Sequence, residues 1–172
     1  SKALGYWGQP ERSVERFEAR IEGSDGARAY LRTGDEGFFW QGELFVTGRL
    51  TDAVIVRGRN HAAPDLERAL GGAHPALRPG GVYALQDPLG EALLVAAEIS
   101  DVDAVADLSA VDAALRAALA RSHHLAARTV VLLPPRALPR TTSGKPQRTR
   151  ARALLAAGTL PVVYTRTADD DA

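Results

Sequence analysis

The chain has 172 residues, 45% of them apolar, with Lys plus Arg and Asp plus Glu both at 21 and a formal net charge of zero. That length suits one ordinary domain, or one domain with a piece of another, and the apolar share can fill a core. The absence of cysteine excludes disulfides, thiolate metal sites and a cysteine nucleophile, and the neutral balance speaks against a nucleic-acid binder.

A helix is expected over 10–20: Pro10 suits a first turn, and Val14, Phe17 and Ile21 recur at helical spacing. Gly23-Ser24-Asp25-Gly26 ends it. Tyr30-Leu31-Arg32 leads into the polar turn Thr33-Gly34-Asp35-Glu36-Gly37. Phe38-Phe39-Trp40 and Glu43-Leu44-Phe45-Val46 flank Gln41-Gly42, the pattern of a hairpin. The β-branched run Ala53-Val54-Ile55-Val56 predicts a strand. Arg57-Gly58-Arg59-Asn60 reads as a turn. A helix follows over 64–70, with Leu66, Ala69 and Leu70 toward the core and Gly71-Gly72 as its stop. Strands are expected over 82–86 and 93–99, joined by Asp87-Pro88-Leu89-Gly90. Ser109 reads as the N-cap of a helix whose stripe is Leu108, Val111, Leu115, Ala118 and Leu119. A strand over 129–133 stops at Pro134-Pro135. A last helix is expected over 149–157, and the polar, acidic residues 165–172 read as a frayed tail.

These short elements predict a small α+β domain with short β-sheets flanked by helices. A hairpin-rich segment precedes it, and the natural boundary falls near Leu50 to Asp52. No stretch approaches the roughly 18 apolar residues needed to span a membrane, and no signal peptide opens the chain, so a cytoplasmic location is expected. The lack of methionine fits a fragment of a longer protein. Of His61, His74, His123 and His124, only the last two are close in sequence. Adjacent helical residues do not face each other, so no metal site is expected.

Lys2 and Lys145 are the only lysines; the other nineteen of the 21 basic residues are arginine. Lysine is a compact charge on a flexible stem, whereas arginine is a wide planar fork, so a lysine kept at a glycine turn marks a candidate site. The loop Pro139-Arg140-Thr141-Thr142-Ser143-Gly144-Lys145 can present a cation and three hydroxyls to an anion. It lacks the spacing of a nucleotide-binding P-loop. The same residues also read as a solvated basic loop. A third reading is nucleic-acid contact through Arg140, Lys145, Arg148, Arg150 and Arg152, against which the neutral total counts. Asp35 is either an ordinary turn residue or a carboxylate that accepts bonds from vicinal hydroxyls. Arg49 is either a solvated cation or a ligand contact; a hairpin between them lets both flank one cleft.

Four segments, in order, resemble the adenylate-forming superfamily: Gly5-Tyr6-Trp7 with Pro10-Glu11; Tyr30-Leu31-Arg32-Thr33-Gly34-Asp35; Gly48-Arg49-Leu50-Thr51-Asp52 with Ile55 and Arg57-Gly58; and the lysine loop. Arg57-Gly58-Arg59-Asn60-His61 with Asp65-Leu66-Glu67, and the ending Ala157-Gly158-Thr159-Leu160-Pro161-Val162-Val163-Tyr164, resemble the fatty-acyl-AMP ligases within it. The likeness covers nearly the whole chain but only the last third of a typical member.

The resemblance implies that residues 1–50 close a large adenylation domain, residues 51–165 form its mobile carboxy-terminal lid, and residues 166–172 are the tail. It implies that Asp35 binds the ribose hydroxyls of ATP and the adenylate, that Arg49 supports the ribose and phosphate, and that Lys145 reaches the carboxylate and the α-phosphate. Thr141, Thr142, Ser143 and Gly144 support that lysine. The implied reaction is fatty acid plus ATP giving acyl-adenylate and pyrophosphate, with Mg²⁺ held mostly by ATP and by residues outside this chain. The acyl group then passes to the thiol of an acyl carrier protein, for which Arg57 and Arg59 offer a contact surface. The isolated chain is expected to be inactive. The alternatives are the lid of a coenzyme A ligase and a non-catalytic module that docks a carrier protein.

Two departures bear on the transfer step. Thr51 stands at the hinge position, where the family usually has aspartate or lysine, and its β-branch restricts the torsions there. Asp52 beside it is a partial substitute. Ala62 and Ala63 follow His61 where the fatty-acyl-AMP ligases usually have an aromatic residue.

Overall fold

In the computed structural model, which describes residues 2–168, the chain falls into two units, Ser1–Thr51 and Asp52–Ala172. In the first, helix α1 is Pro10–Phe17. It ends before residue 20 because Ala19 leaves the helix to exchange two backbone hydrogen bonds with Tyr30, at 3.1 and 2.8 Å. Phe17 is the one buried apolar side chain among the described residues of this unit, and it meets the Tyr6 ring edge-on at 5.3 Å. Strands β1 (Asp35–Trp40) and β2 (Glu43–Arg49) form the expected antiparallel hairpin. Phe39, Trp40 and Val46 remain 74%, 62% and 65% exposed. A lone two-stranded hairpin is at best marginal in water, so these apolar faces have no core of their own here.

The second unit begins at the end of a 3-10 turn, Leu50–Asp52. Strand β3 (Ala53–Val56) folds back onto β4 (Arg59–Ala62). The sequence offered only a turn at 57–60. The turn is confined to Arg57 and Gly58, both with positive φ, so Arg59 and Asn60 are free to pair with Val56 and Ile55. Helix α2 (Ala63–Leu70) buries Leu66 and Leu70 and half-buries Ala69.

The main sheet holds β5 (Leu77–Gln86), β6 (Leu93–Ile99), β7 (Ala127–Leu133) and β8 (Tyr164–Thr167), in that order. β6 and β7 run parallel, joined through helix α3 (Leu108–His123); the outer pairs are antiparallel. Every residue of β6 is buried, as befits a central strand covered on both faces. The alternation of strand side chains sorts the core into two layers. Val82, Ala84, Val95, Ala97, Val130 and Leu132 pack with α2, α3 and β3. Tyr83, Leu85, Leu94, Ala96, Val131 and Leu133 pack with Leu138 and with Ala151 of helix α4 (Arg148–Ala156). The architecture is α+β, with short mixed sheets flanked by helices, consistent with the carboxy-terminal lid fold of the adenylate-forming enzymes.

Two expectations need correction. The cap of α3 is Asp107, not Ser109: the Asp107 carboxylate accepts the Ser109 amide hydrogen at 2.9 Å and the Ser109 hydroxyl at 2.6 Å. The tail is not frayed from Thr165. Tyr164–Thr167 covers the outer edge of β7, and the Tyr164 ring packs on the core, where Asp112 accepts its hydroxyl at 3.4 Å. Residues 169–172 lie outside the described residues. No described helix is long and apolar enough to cross a membrane.

Candidate functional site

The lysine loop leaves β7 at Pro134-Pro135 and is fixed before it reaches Lys145. Glu98, fully buried on β6, accepts the Leu138 amide hydrogen at 2.7 Å and binds Arg78 Nη1 at 2.8 Å. That carboxylate sits where a side chain on Gly81 would collide: a Cβ there would lie 2.9 Å from Glu98 Oε2. The Tyr83 hydroxyl donates to the Pro139 carbonyl at 2.8 Å, and the Gln147 amide donates to the same oxygen at 3.1 Å. Burial pushes the Tyr83 phenol above its ordinary pKa; nearby Arg140 opposes this, while Glu98 and Glu67 add to it.

Between these anchors the loop is a tight hairpin. The Thr141 amide donates to the Lys145 carbonyl at 2.9 Å, and the Lys145 amide donates to the Thr141 hydroxyl at 3.0 Å. The Gly144 amide donates to the Thr141 carbonyl at 2.9 Å, and Gly144 takes φ 81°, the left-handed conformation glycine adopts without a Cβ penalty. Arg140 stacks over Tyr83 and donates to the carbonyls of Gly80 and Gly144. The Thr141 and Ser143 hydroxyls bond each other at 2.9 Å. Thr142 is exposed and holds no other group of the loop.

Lys145 is exposed, and no carboxylate among the described residues pairs with its ammonium. The site is thus a held backbone carrying a free cation. Where the chain enters the loop, Arg78, Arg136, Arg140 and Arg150 line a cavity of about 460 Å³ together with Leu138, Pro139 and Leu154.

In the first unit, Asp35 and Arg49 are directly opposed across β1 and β2. Arg49 Nε lies 3.0 Å from Asp35 Oδ1. The Asp35 amide is held by the Thr33 hydroxyl at 3.1 Å. Both side chains are open to solvent, at 65% for Arg49 and 36% for Asp35. With Oδ1 on Arg49, the other carboxylate oxygen can accept from a diol. Arg57 and Arg59 are exposed, the first in the turn and the second on β4. The Gly58 amide between them donates to Glu91 at 2.7 Å, placing a carboxylate beside that basic pair. Thr51 lies in the 3-10 turn and Asp52 ends it. Asp52 is not idle: its Oδ2 takes Arg148 Nη1 at 2.8 Å.

The sequence does not single out Glu98, and it offers Arg148 only as a nucleic-acid contact. Glu98 carries a visible signal, an acid inside an otherwise apolar strand run. Arg148 carries almost none, since its partners lie 81 and 96 residues away. Burial weakens its charged form, but the hydrogen bonds and charge of Glu67, with those of Asp52, outweigh that and raise its pKa. No group of three His, Asp or Glu suited to a metal ion occurs among the described residues.

The lid fold, with the relatives given next, defines a domain of the adenylate-forming superfamily. The chain is such a domain, related to the ligases that activate fatty acids. It is 38% identical over 163 residues to a medium-chain-fatty-acid–[acyl-carrier-protein] ligase, JamA, of Moorena producens, covering 93% of this chain and 27% of the relative. It is 34% identical over 187 residues to the long-chain-fatty-acid–AMP ligase FadD32 of Mycolicibacterium smegmatis, covering 91% and 30%. A solved fatty acyl-adenylate ligase, from a study of the E. coli and L. pneumophila proteins, superimposes with TM-score 0.67 at 30% identity, covering 90% and 26%. No family model matches. The chain spans less than a third of the length of the curated relatives it matches.

Proposed function

We propose that this chain is the carboxy-terminal part of an ATP-dependent fatty-acyl-AMP ligase. In this reading residues 1–50 complete a large adenylation domain, and residues 51–165 are its mobile lid, turning at Thr51 and Asp52. The exposed aromatic faces of the hairpin support the first part, because they need a partner to be buried.

The observation that carries the reading is Lys145, a free ammonium on a loop whose backbone is tied down on both sides. When a carboxylate attacks the α-phosphate of ATP, negative charge builds on the transferring group. A cation already in place stabilises it without reorganising during the step. The compact ammonium can approach both the carboxylate and the phosphate. Asp35 accepts the ribose hydroxyls and Arg49 orients Asp35, with Mg²⁺ accompanying the phosphates of ATP. Thr141 and Gly144 hold the loop, Ser143 holds Thr141, and Thr142 is left to donate to an anion.

The similarity to a protein named as an acyl-carrier-protein ligase supports transfer of the acyl group to a carrier thiol, with Arg57 and Arg59 as the contact surface. The test is an assay of the full-length protein with ATP, a fatty acid, and either carrier protein or coenzyme A. Acyl carrier protein as the acceptor supports the reading; efficient acylation of coenzyme A instead makes this the lid of a coenzyme A ligase. The isolated chain, lacking the rest of the adenylation domain, should release no pyrophosphate above a Lys145→Ala control.

A further inference from the structure

Arg148 opens α4 three residues after Lys145, and its side chain is 11% exposed. Its guanidinium meets Glu67 twice, Nε to Oε1 at 2.7 Å and Nη2 to Oε2 at 2.6 Å, and Asp52 once, Nη1 to Oδ2 at 2.8 Å. Glu67 Oε1 also accepts the Ala84 amide hydrogen at 3.1 Å. One side chain therefore joins the start of α4 to α2, to β5 and to the residue following Thr51.

Stability alone does not call for this arrangement. The cost of desolvating buried charges offsets much of their attraction, and well-packed apolar residues often serve as well. A planar fork held by two carboxylates gives direction instead: it fixes the orientation of the group that carries it. The group here is the first residue of α4, with Pro146 and Gln147 as the only links to Lys145. Arg140 and Pro146 form a β-bridge at the neck of the same loop. The neck is thus held from one side by Arg140 and from the other by Arg148.

We propose that Arg148 is a positioning residue for Lys145: clamped by Glu67 and Asp52, it sets where the Lys145 ammonium reaches and ties that reach to the segment at Asp52. This rests on the reading of Lys145 given under the proposed function. The guanidinium contacts of Arg148 go to Glu67 and Asp52, so in this proposal it acts through the loop. Lysine at this position could keep one contact but not the two-carboxylate clamp.

The experiment is a double-mutant cycle on the full-length protein, reading pyrophosphate formation from ATP and fatty acid. Arg148→Lys is expected to lower kcat on the order of tenfold to a hundredfold, the scale of a small misplacement of a reacting group, with KM for ATP unchanged. In a Lys145→Ala background the same substitution should have no further effect. Melting temperature is read on every variant. Should Arg148→Lys not fold, Glu67→Gln, which keeps the shape and removes one charge, is expected to repeat the pattern at smaller size. Equal fold losses in both backgrounds would overturn the proposal, since a merely structural residue acts whether or not Lys145 is present. A Lys145→Ala protein with undiminished rate overturns the reading of Lys145 itself, and this proposal with it, so the two failures are read from different variants.

Discussion

Glu98, on the central strand, accepts the amide hydrogen of Leu138 at 2.7 Å across 40 residues of sequence. This bond fixes the point at which the chain leaves the sheet for the lysine loop. Its other oxygen is neutralised by Arg78, whose side chain is 32% exposed while Glu98 is fully buried. Arg78→Ala leaves that buried carboxylate without its cation and should destabilise the fold by about 3–5 kcal/mol. Glu98→Gln, which keeps an acceptor for Leu138, should cost less, about 1–3 kcal/mol. Urea denaturation of the 172-residue chain at neutral pH measures both. A milder effect for Arg78→Ala than for Glu98→Gln would contradict this account of the pair.

Tyr83 links the same face of the sheet to Pro139. Losing that hydroxyl in Tyr83→Phe should cost about 0.5–1.5 kcal/mol at neutral pH. Its folded pKa is raised above the ordinary 10.0 mainly by burial. The folded protein therefore holds this proton more tightly than the unfolded chain. The associated stability is complete below pH 10.0 and is lost as pH rises through the folded value. Tyr83→Phe should accordingly show a shallower fall in stability above that pH than the wild type. An identical alkaline limb in the two proteins would count against the assignment.

Asp35 and Arg49 form an exposed pair, and such pairs contribute only about 0–1 kcal/mol to stability. Asp35→Asn should leave the melting temperature of the full-length protein nearly unchanged while raising KM for ATP. The check is KM measured alongside a thermal melt. A large loss of stability with KM unchanged would make the pair structural.

How far these features were legible varied with how local their causes are. The hairpin at Gln41-Gly42, the Leu66 and Leu70 face of α2, and the buried run 93–99 each follow from periodicity and turn chemistry within a few residues. Their boundaries were less legible. α1 stops early because Ala19 finds Tyr30, and β8 exists because β7 has an open edge. Neither partner is marked by its own neighbours in sequence. In the loop, Gly144 and Lys145 stood out by residue type alone. Thr141 holds them locally, but the ends of the loop are anchored from afar, by Glu98 and Tyr83 on the sheet and Glu67 on α2, and contacts over such separations leave no pattern in one sequence.

Asp107 illustrates a near miss. Ser109 has the chemistry of a cap, but the carboxylate two residues earlier takes both its amide and its hydroxyl. The Ser109 hydroxyl and amide hold the Asp107 carboxyl below its usual pKa. The lowered value means that the cap's contribution is present above the ordinary carboxylate pKa of 3.8 and fades as pH falls through the folded value. Asp107→Ala should lower helicity and melting temperature at neutral pH, and Asp107→Asn, a competent cap, should recover most of the loss. Ser109→Ala should do less than Asp107→Ala; circular dichroism of the three variants decides between the two residues.

The claim on which the rest depends is that Lys145 supplies positive charge to the adenylating step. The direct measurement is the rate of pyrophosphate release from ATP and fatty acid by the full-length protein and its Lys145→Ala and Lys145→Arg variants. Lys145→Ala should lose roughly 10²–10³ in kcat. Lys145→Arg should recover little of it, because its wide fork does not fit where a compact ammonium does. Unchanged pyrophosphate release in the alanine variant, with the protein folded, would contradict the claim.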